Sequence, residues 1–131
     1  MDYVDERGVN PIRDWLLDKR EVPTKARAKI QRILLQLAGT RLWTRPLASN
    51  LDEYEGIVEI RVLWMNTQYR LLGCRGPEDR EFTILFPAIE QGDVFVPKSA
   101  PSIAQARMKT VFTEKGIPIA RRRRSCEHNF S

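Results

Sequence analysis

Apolar residues recur with two different periods along this chain, which separates a helical region from a region of strands. The first helix is expected to begin at Asn10, because asparagine is a good helix cap and Pro11 suits the first helical position. It should run to about Lys19. A second helix is expected from a cap at Thr24 to Gly39, a residue that tolerates the left-handed conformation at a helix end. Together the two segments predict a helical hairpin.

Further along the chain, apolar residues alternate with polar ones, as in strands that bury one face. Residues 58–64, 68–73 and 81–86 are the predicted strands, joined by turns at 66–67 and 75–80. Short connections favour antiparallel neighbours, because parallel neighbours need a long crossover. The face expected to lie beneath the helices carries Val58, Ile60, Val62, Tyr69, Leu71, Phe82, Ile84 and Phe86.

The remaining segments complete the predicted order β-α-α-β-β-β-α. Residues 3–4 can form a brief opening strand, 40–56 are expected to be irregular, and 92–101 form a loop that contains prolines. Ser102 is the expected cap of a final helix. The residues of that helix expected to meet the sheet are Ile103, Ala106, Met108, Val111 and Phe112. This order predicts an α+β fold, with an N-terminal helical hairpin packed on a small twisted antiparallel sheet and a C-terminal helix.

Composition indicates a single globular domain, since the chain has 131 residues, 42% of them hydrophobic and 30% charged. Residues 1–118 form the expected domain, and 119–131 a basic, flexible tail. No apolar run approaches the roughly 20 residues that cross a bilayer, and the opening segment is acidic, so a cytoplasmic location is expected. Cys74, Cys126 and the single His128 show no metal-binding spacing, so neither a metal nor another cofactor is expected.

The net charge of +5 is unevenly distributed. Residues 19–45 and 94–131 carry eight basic side chains each, and an acidic patch that includes Glu59 lies between them. Such a distribution favours a polyanionic partner, most commonly nucleic acid, although a solvated basic surface has the same composition. The candidate RNA-binding residues are Lys25, Lys29, Arg32, Lys98, Arg107 and Lys109.

The segment GIVEIRVLWMNTQYRLLGC (residues 56–74) resembles the core of RelE/HigB-type toxins, especially their phage-derived branch. In that family a strand with E-x-R is followed by Y-R on the next strand. NPIRDWL and IQRILLQLAGT resemble the family's helical hairpin, while EFTILFPAIEQ and IAQARMK resemble its last strand and C-terminal helix. The resemblance covers roughly residues 1–116 and implies a RelE-like fold.

The resemblance also implies a function and partners. RelE/HigB toxins belong to type II toxin–antitoxin systems and act as ribosome-dependent endoribonucleases that cleave messenger RNA without a metal and so inhibit translation. The implied partners are the ribosome, messenger RNA and a cognate antitoxin, often a small helix-turn-helix DNA-binding protein encoded by the adjacent gene. No membrane partner is implied.

The candidate catalytic residues follow from the chemistry of RNA cleavage by the 2′-hydroxyl, which needs a base, an acid and stabilisation of phosphate charge. Arginine suits the phosphate, because its planar fork donates two parallel hydrogen bonds and stays charged. Arg61 and Arg70 are the expected phosphate clamps, side by side and open to solvent. Glu59 shares the face of Arg61 and is either a general base or a structural partner, and Glu90 is a second candidate base.

Two other functions stay open at the level of sequence. RelE-type toxins carry a lysine pair after the last strand, where this chain has FPAIEQ at residues 86–91. The missing lysines favour a ParE-like toxin, which has the same fold but poisons gyrase. The third reading is a non-catalytic module that binds nucleic acid or a partner protein.

Overall fold

A computed structural model of the chain describes residues 2–3, 10–39, 47–51, 53–75, 82–111 and 121–122. The elements, in chain order, are β1 (Asp2–Tyr3), α1 (Pro11–Leu17), α2 (Thr24–Ala38), β2 (Ala48–Asn50), β3 (Val58–Trp64), β4 (Thr67–Arg75), β5 (Phe82–Gln91), β6 (Val94–Val96), α3 (Ala100–Val111) and β7 (Arg121–Arg122). None of the helices described is long and apolar enough to cross a membrane. The expected turn after Arg75, nearly all of the predicted tail, and Phe112, Cys126 and His128 lie outside the described residues.

The helical hairpin forms where the apolar pattern predicts it, with differences at its caps. The Asn10 side chain caps α1 by accepting a hydrogen bond from the backbone amide of Arg13 at 3.0 Å. Thr24 is the first residue of α2 and not its cap, because the cap position is occupied by Pro23, which makes no side-chain bond. The predicted left-handed cap at Gly39 is also wrong, since this residue has a φ of −90°.

Five strands form a curled antiparallel sheet in the order β2-β3-β4-β5-β6, and β1 adds to β5 in parallel and pairs with β7. The predicted β3–β4 hairpin is confirmed, but its turn lies at Met65 and Asn66, because Trp64 already pairs with Thr67. Strands β2 and β6 lie in segments predicted to be irregular. Each has three residues, which is too short for an alternating pattern to be recognised.

The helices cover both faces of this sheet. One apolar cluster joins α1 and α2 to the first face and includes Ile12, Leu16, Ile30, Leu37, Ile60, Val62, Tyr69, Leu71 and Ile84. The other joins α3 to the opposite face and includes Ile57, Leu72, Cys74, Leu85, Ala88, Ala100, Ala104 and Val111. Helix α3 begins at Ala100, so Ser102 lies inside its first turn, and Ala106, expected to meet the sheet, is exposed.

Strand β5 contains a β-bulge that the sequence pattern does not predict. Leu72 pairs with Phe86 and Gly73 pairs with Ile84, which leaves Leu85 as an extra residue. Because one inserted residue reverses the alternation of side chains, Phe86 packs with the cluster around α3 and not with Ile84. The predicted position of Phe86 beneath the helical hairpin is therefore wrong.

Gly73 lies at this bulge, where β4 and β5 approach too closely for any side chain. A Cβ atom on Gly73 would lie 2.4 Å from Cε2 of Phe82 and 2.5 Å from the carbonyl oxygen of Thr83. We therefore expect Gly73→Ala to lower the free energy of unfolding by about 1–3 kcal/mol, measured by urea denaturation. Gly39→Ala is the matched control, because its nearest neighbour would be 3.8 Å away and its φ is negative. Equal stability of the two variants would contradict the close approach at Gly73.

Candidate functional site

Arg61 and Arg70 occupy directly opposed positions on β3 and β4, so their side chains leave the sheet on the same face, as predicted. Like charges at opposed positions of an antiparallel pair repel each other. Glu59, two positions before Arg61 on that face, offsets this repulsion. Its Oε1 accepts a hydrogen bond from Nε of Arg61 at 2.5 Å, and its Oε2 lies 3.9 Å from Nε of Arg70. The carboxylate of Glu59 therefore bridges the two guanidinium groups.

Glu90 contributes a second carboxylate to the same face as a result of the bulge in β5. Glu90 pairs in register with Gln68, and its Oε1 accepts a hydrogen bond from Nε of Arg70 at 3.1 Å. If side chains alternated strictly from Ile84 onwards with no bulge, Glu90 would share the face of Ile84, beneath the helical hairpin. The bulge is thus the feature that brings Glu90 to Arg70.

Arg70 is held by polar partners on several sides. Besides Nε, its NH1 donates to the carbonyl of Tyr69 at 3.0 Å and its NH2 donates to Oε1 of Gln68 at 2.6 Å. Its side chain is only 7% exposed, compared with 32% for Arg61. The expectation that both guanidinium groups are open to solvent is therefore wrong for Arg70. This burial is polar, since the group lies among hydrogen-bond acceptors and not in an apolar cluster.

An open groove of about 320 Å³ lies beside this pair, where β3 extends beyond its partner β2. The lining residues are Lys29, Ile33, Leu47, Arg61, Leu63, Gln68 and Arg70. The side chain of Lys29 reaches the groove from α2 and its Nζ donates a hydrogen bond to the carbonyl of Leu63. Three cationic side chains of the described residues thus border a groove whose other described walls are largely apolar.

Of the candidate RNA-binding residues, Lys29 lines the groove with the arginine pair, and Arg107 has a different environment. NH1 of Arg107 donates to the carbonyl of Leu85 at 2.8 Å, and its guanidinium lies 5.1 Å from the centre of the Phe86 ring. Arg107 therefore stabilises the bulge. The other candidates are exposed and do not line the groove: Lys25, Arg32, Lys98 and Lys109.

The sequence prediction missed two contributors to this site. Gln68 accepts a hydrogen bond from Arg70, and this contact could have been predicted because residues two positions apart on a strand share a face. The apolar wall formed by Ile33 and Leu47 had no signal, because these residues come from separate elements that only the fold brings together. Within the described part of the chain, no group of three or more His, Cys, Asp or Glu side chains could hold a metal ion.

Comparisons with models of protein families, with curated proteins and with solved structures found no match. The function of the chain therefore has to be inferred from the geometry of this site and from its sequence motif.

Proposed function

We propose that this protein is a RelE-like toxin of a type II toxin–antitoxin system, an endoribonuclease that cleaves messenger RNA at the ribosome. The observation that carries the proposal is the opposed pair Arg61 and Arg70, which borders an open groove together with Lys29. Cationic side chains collected in one groove attract a phosphodiester backbone. Support also comes from the α+β fold, in which a helical hairpin precedes an antiparallel sheet and a last helix, as the resemblance implies.

The geometry favours different roles for the two arginines. Arg61 is the accessible one, so it is the group that contacts a phosphate and stabilises its charge in the transition state. Arg70 is a positioning residue, because its guanidinium orients both Glu90 and Gln68. Glu59 is also a positioning residue, since its buried carboxylate keeps Arg61 beside Arg70.

Glu90 is the better candidate for the general base. Its side chain is 23% exposed, compared with 3% for Glu59, and no described residue bonds its Oε2. In the proposed reaction, this carboxylate removes the proton of a 2′-hydroxyl, and the 2′-oxygen attacks the neighbouring phosphorus. The bond from phosphorus to the 5′-oxygen breaks, and that oxygen takes up a proton from solvent or from Lys29. The products are a 2′,3′-cyclic phosphate and a 5′-hydroxyl end.

An antitoxin follows from this proposal as the partner that keeps the toxin inactive. A small helix-turn-helix protein would inhibit by covering the face of Arg61 and Arg70 or by displacing α3, and the exposed fraction of Arg61 favours covering. Acidic side chains of the antitoxin would then occupy the place of the RNA phosphates. An interface confined to the side of α1 would contradict this arrangement.

Brief induction of the chain in bacteria, with mapping of transcript 5′ ends and measurement of amino-acid incorporation, tests the proposal. We expect translation to stop and new 5′-hydroxyl ends to appear within translated regions. Intact messenger RNA with filamentation and DNA-damage signalling would instead indicate a ParE-like gyrase poison. Harmless expression of the folded chain would indicate a non-catalytic binding module.

A further inference from the structure

The groove has more than the cations that a phosphate needs. Ile33, Leu47 and Leu63 form an apolar wall next to Arg61, and the volume of about 320 Å³ leaves room for a planar group beside a phosphate. Nucleobases have apolar faces that pack on such walls and polar edges that form hydrogen bonds. If RNA enters this groove through its phosphates, as the proposed function requires, one of its bases will lie against this wall.

Among the described residues that line the groove, Gln68 is the one with an uncharged polar side chain, and its amide group has a fixed orientation. A guanidinium can only donate hydrogen bonds, so NH2 of Arg70 selects the amide oxygen Oε1 as its acceptor, at 2.6 Å. The hydrogen bond between Arg70 and this amide oxygen is held in place, because the arginine is buried and also donates to Glu90 and to the carbonyl of Tyr69. Both N–H groups on Nε2 of Gln68 remain available to a ligand, since none of the residues that the structure describes accepts a hydrogen bond from them.

We infer that Gln68 is a specificity-determining residue that makes the groove prefer keto bases, guanine and uracil, over amino bases, adenine and cytosine. Guanine and uracil present carbonyl acceptors at edge positions where adenine and cytosine present amino donors. The N–H groups of Gln68 can therefore donate to the carbonyl of a keto base. On an amino base they face another N–H donor, and no hydrogen bond forms. Sites that form hydrogen bonds discriminate strongly in this way, because a mismatch leaves polar groups unpaired.

Titration of the full chain with the four ribonucleoside 3′-monophosphates tests this inference, with the side-chain amide of Gln68 followed by NMR. We expect the guanine and uracil nucleotides to bind about tenfold more tightly than the adenine and cytosine nucleotides. The Gln68 amide signals should shift with the first two and stay nearly unchanged with the others. Equal affinity for all four nucleotides, or no binding of any of them, would overturn the inference.

Two variants separate base recognition from a structural role of the same residue. Gln68→Glu keeps an oxygen acceptor for Arg70 but has no donor, so the preference should reverse towards adenine and cytosine. Gln68→Leu should remove the preference. The ratio of affinities among the four nucleotides is the relevant measurement, because the added carboxylate weakens phosphate binding for all of them. An unchanged preference in Gln68→Glu would count against base recognition by this residue.

The nucleotide titration decides this inference, and the mapping of transcript 5′ ends decides the proposed function. A chain that prefers keto nucleotides but leaves messenger RNA intact would retain the base site and lose the nuclease assignment. A chain that cleaves messenger RNA but binds all four nucleotides equally would retain the nuclease assignment and lose the base site. The two ideas can therefore fail separately.

Discussion

Replacement of Arg61 by alanine should reduce RNA cleavage about 10²–10³-fold while leaving the protein folded. In the proposed reaction Arg61 stabilises the charge that develops on the phosphate, and the loss of one such donor typically costs this much in rate. Stability should fall by about 1–3 kcal/mol, because the buried carboxylate of Glu59 loses its hydrogen bond from Arg61 and keeps the guanidinium of Arg70 at 3.9 Å. Arg61→Lys should recover only part of the activity, since an ammonium lacks the planar fork.

The measurement is the rate of cleavage of a messenger RNA on programmed ribosomes, with Arg13→Ala as the matched control. The Arg13 side chain is 43% exposed and lies 3.9 Å from the carboxylate of Asp14, so it is also a partly exposed arginine beside an acid. It does not line the groove. Undiminished cleavage by Arg61→Ala would exclude Arg61 as the phosphate contact.

Replacement of Arg70 by alanine should instead destabilise the whole domain, lowering the free energy of unfolding by about 3–5 kcal/mol. Its guanidinium lies near the carboxylates of Glu59 and Glu90 and donates to Gln68 and Tyr69. Removal leaves buried acceptors and negative charge without this partner, which costs far more than the loss of an exposed ion pair. Since small domains are stable by only about 5–15 kcal/mol, harmless expression of Arg70→Ala would not by itself show a catalytic role.

Urea denaturation of the purified variants checks this prediction. Arg70→Lys should lose less stability than Arg70→Ala, because it keeps the charge but not every hydrogen bond. Arg61→Ala provides the comparison for an arginine on the same face that is not buried. If Arg70→Ala lowers the free energy of unfolding by less than about 1 kcal/mol, the contacts of Arg70 contribute no more than an exposed ion pair does, and the prediction is wrong.

The alternating pattern of residues 58–73 was sufficient to predict the centre of the site. A tight hairpin fixes which residues are opposed, and alternation fixes which face they share, so the pairing of Arg61 with Arg70 follows from the sequence. The contact between Glu59 and Arg61 follows from the same alternation. The helical hairpin was predictable for a similar reason, because its apolar residues recur with a clear helical period.

Other features depend on contacts between elements that are distant in the sequence. The burial of Arg70 results from Glu90 on β5, which reaches it only because of the bulge at Leu85. No residue type marks that bulge, so a strict alternation placed Phe86 on the wrong face. The side of the sheet that α3 covers was also undetermined, because Ala100 and Ala104 give it only a weak apolar stripe.

Because Leu85 has no partner on β4, the face on which Glu90 lies depends on the number of residues in β5 as well as on their identity. The loss of the codon for Leu85 itself would only close the bulge, but the loss of the codon for Pro87 or Ala88 would turn the end of β5 over, moving Glu90 beneath the helical hairpin and Ile89 to the side of the arginines. A protein with the same motif residues but one residue fewer between the bulge and the glutamate would therefore carry its acidic group on the wrong side of the sheet. When related sequences are aligned, a single-residue gap between Phe86 and Glu90 would change the expected activity more than most substitutions in the strand.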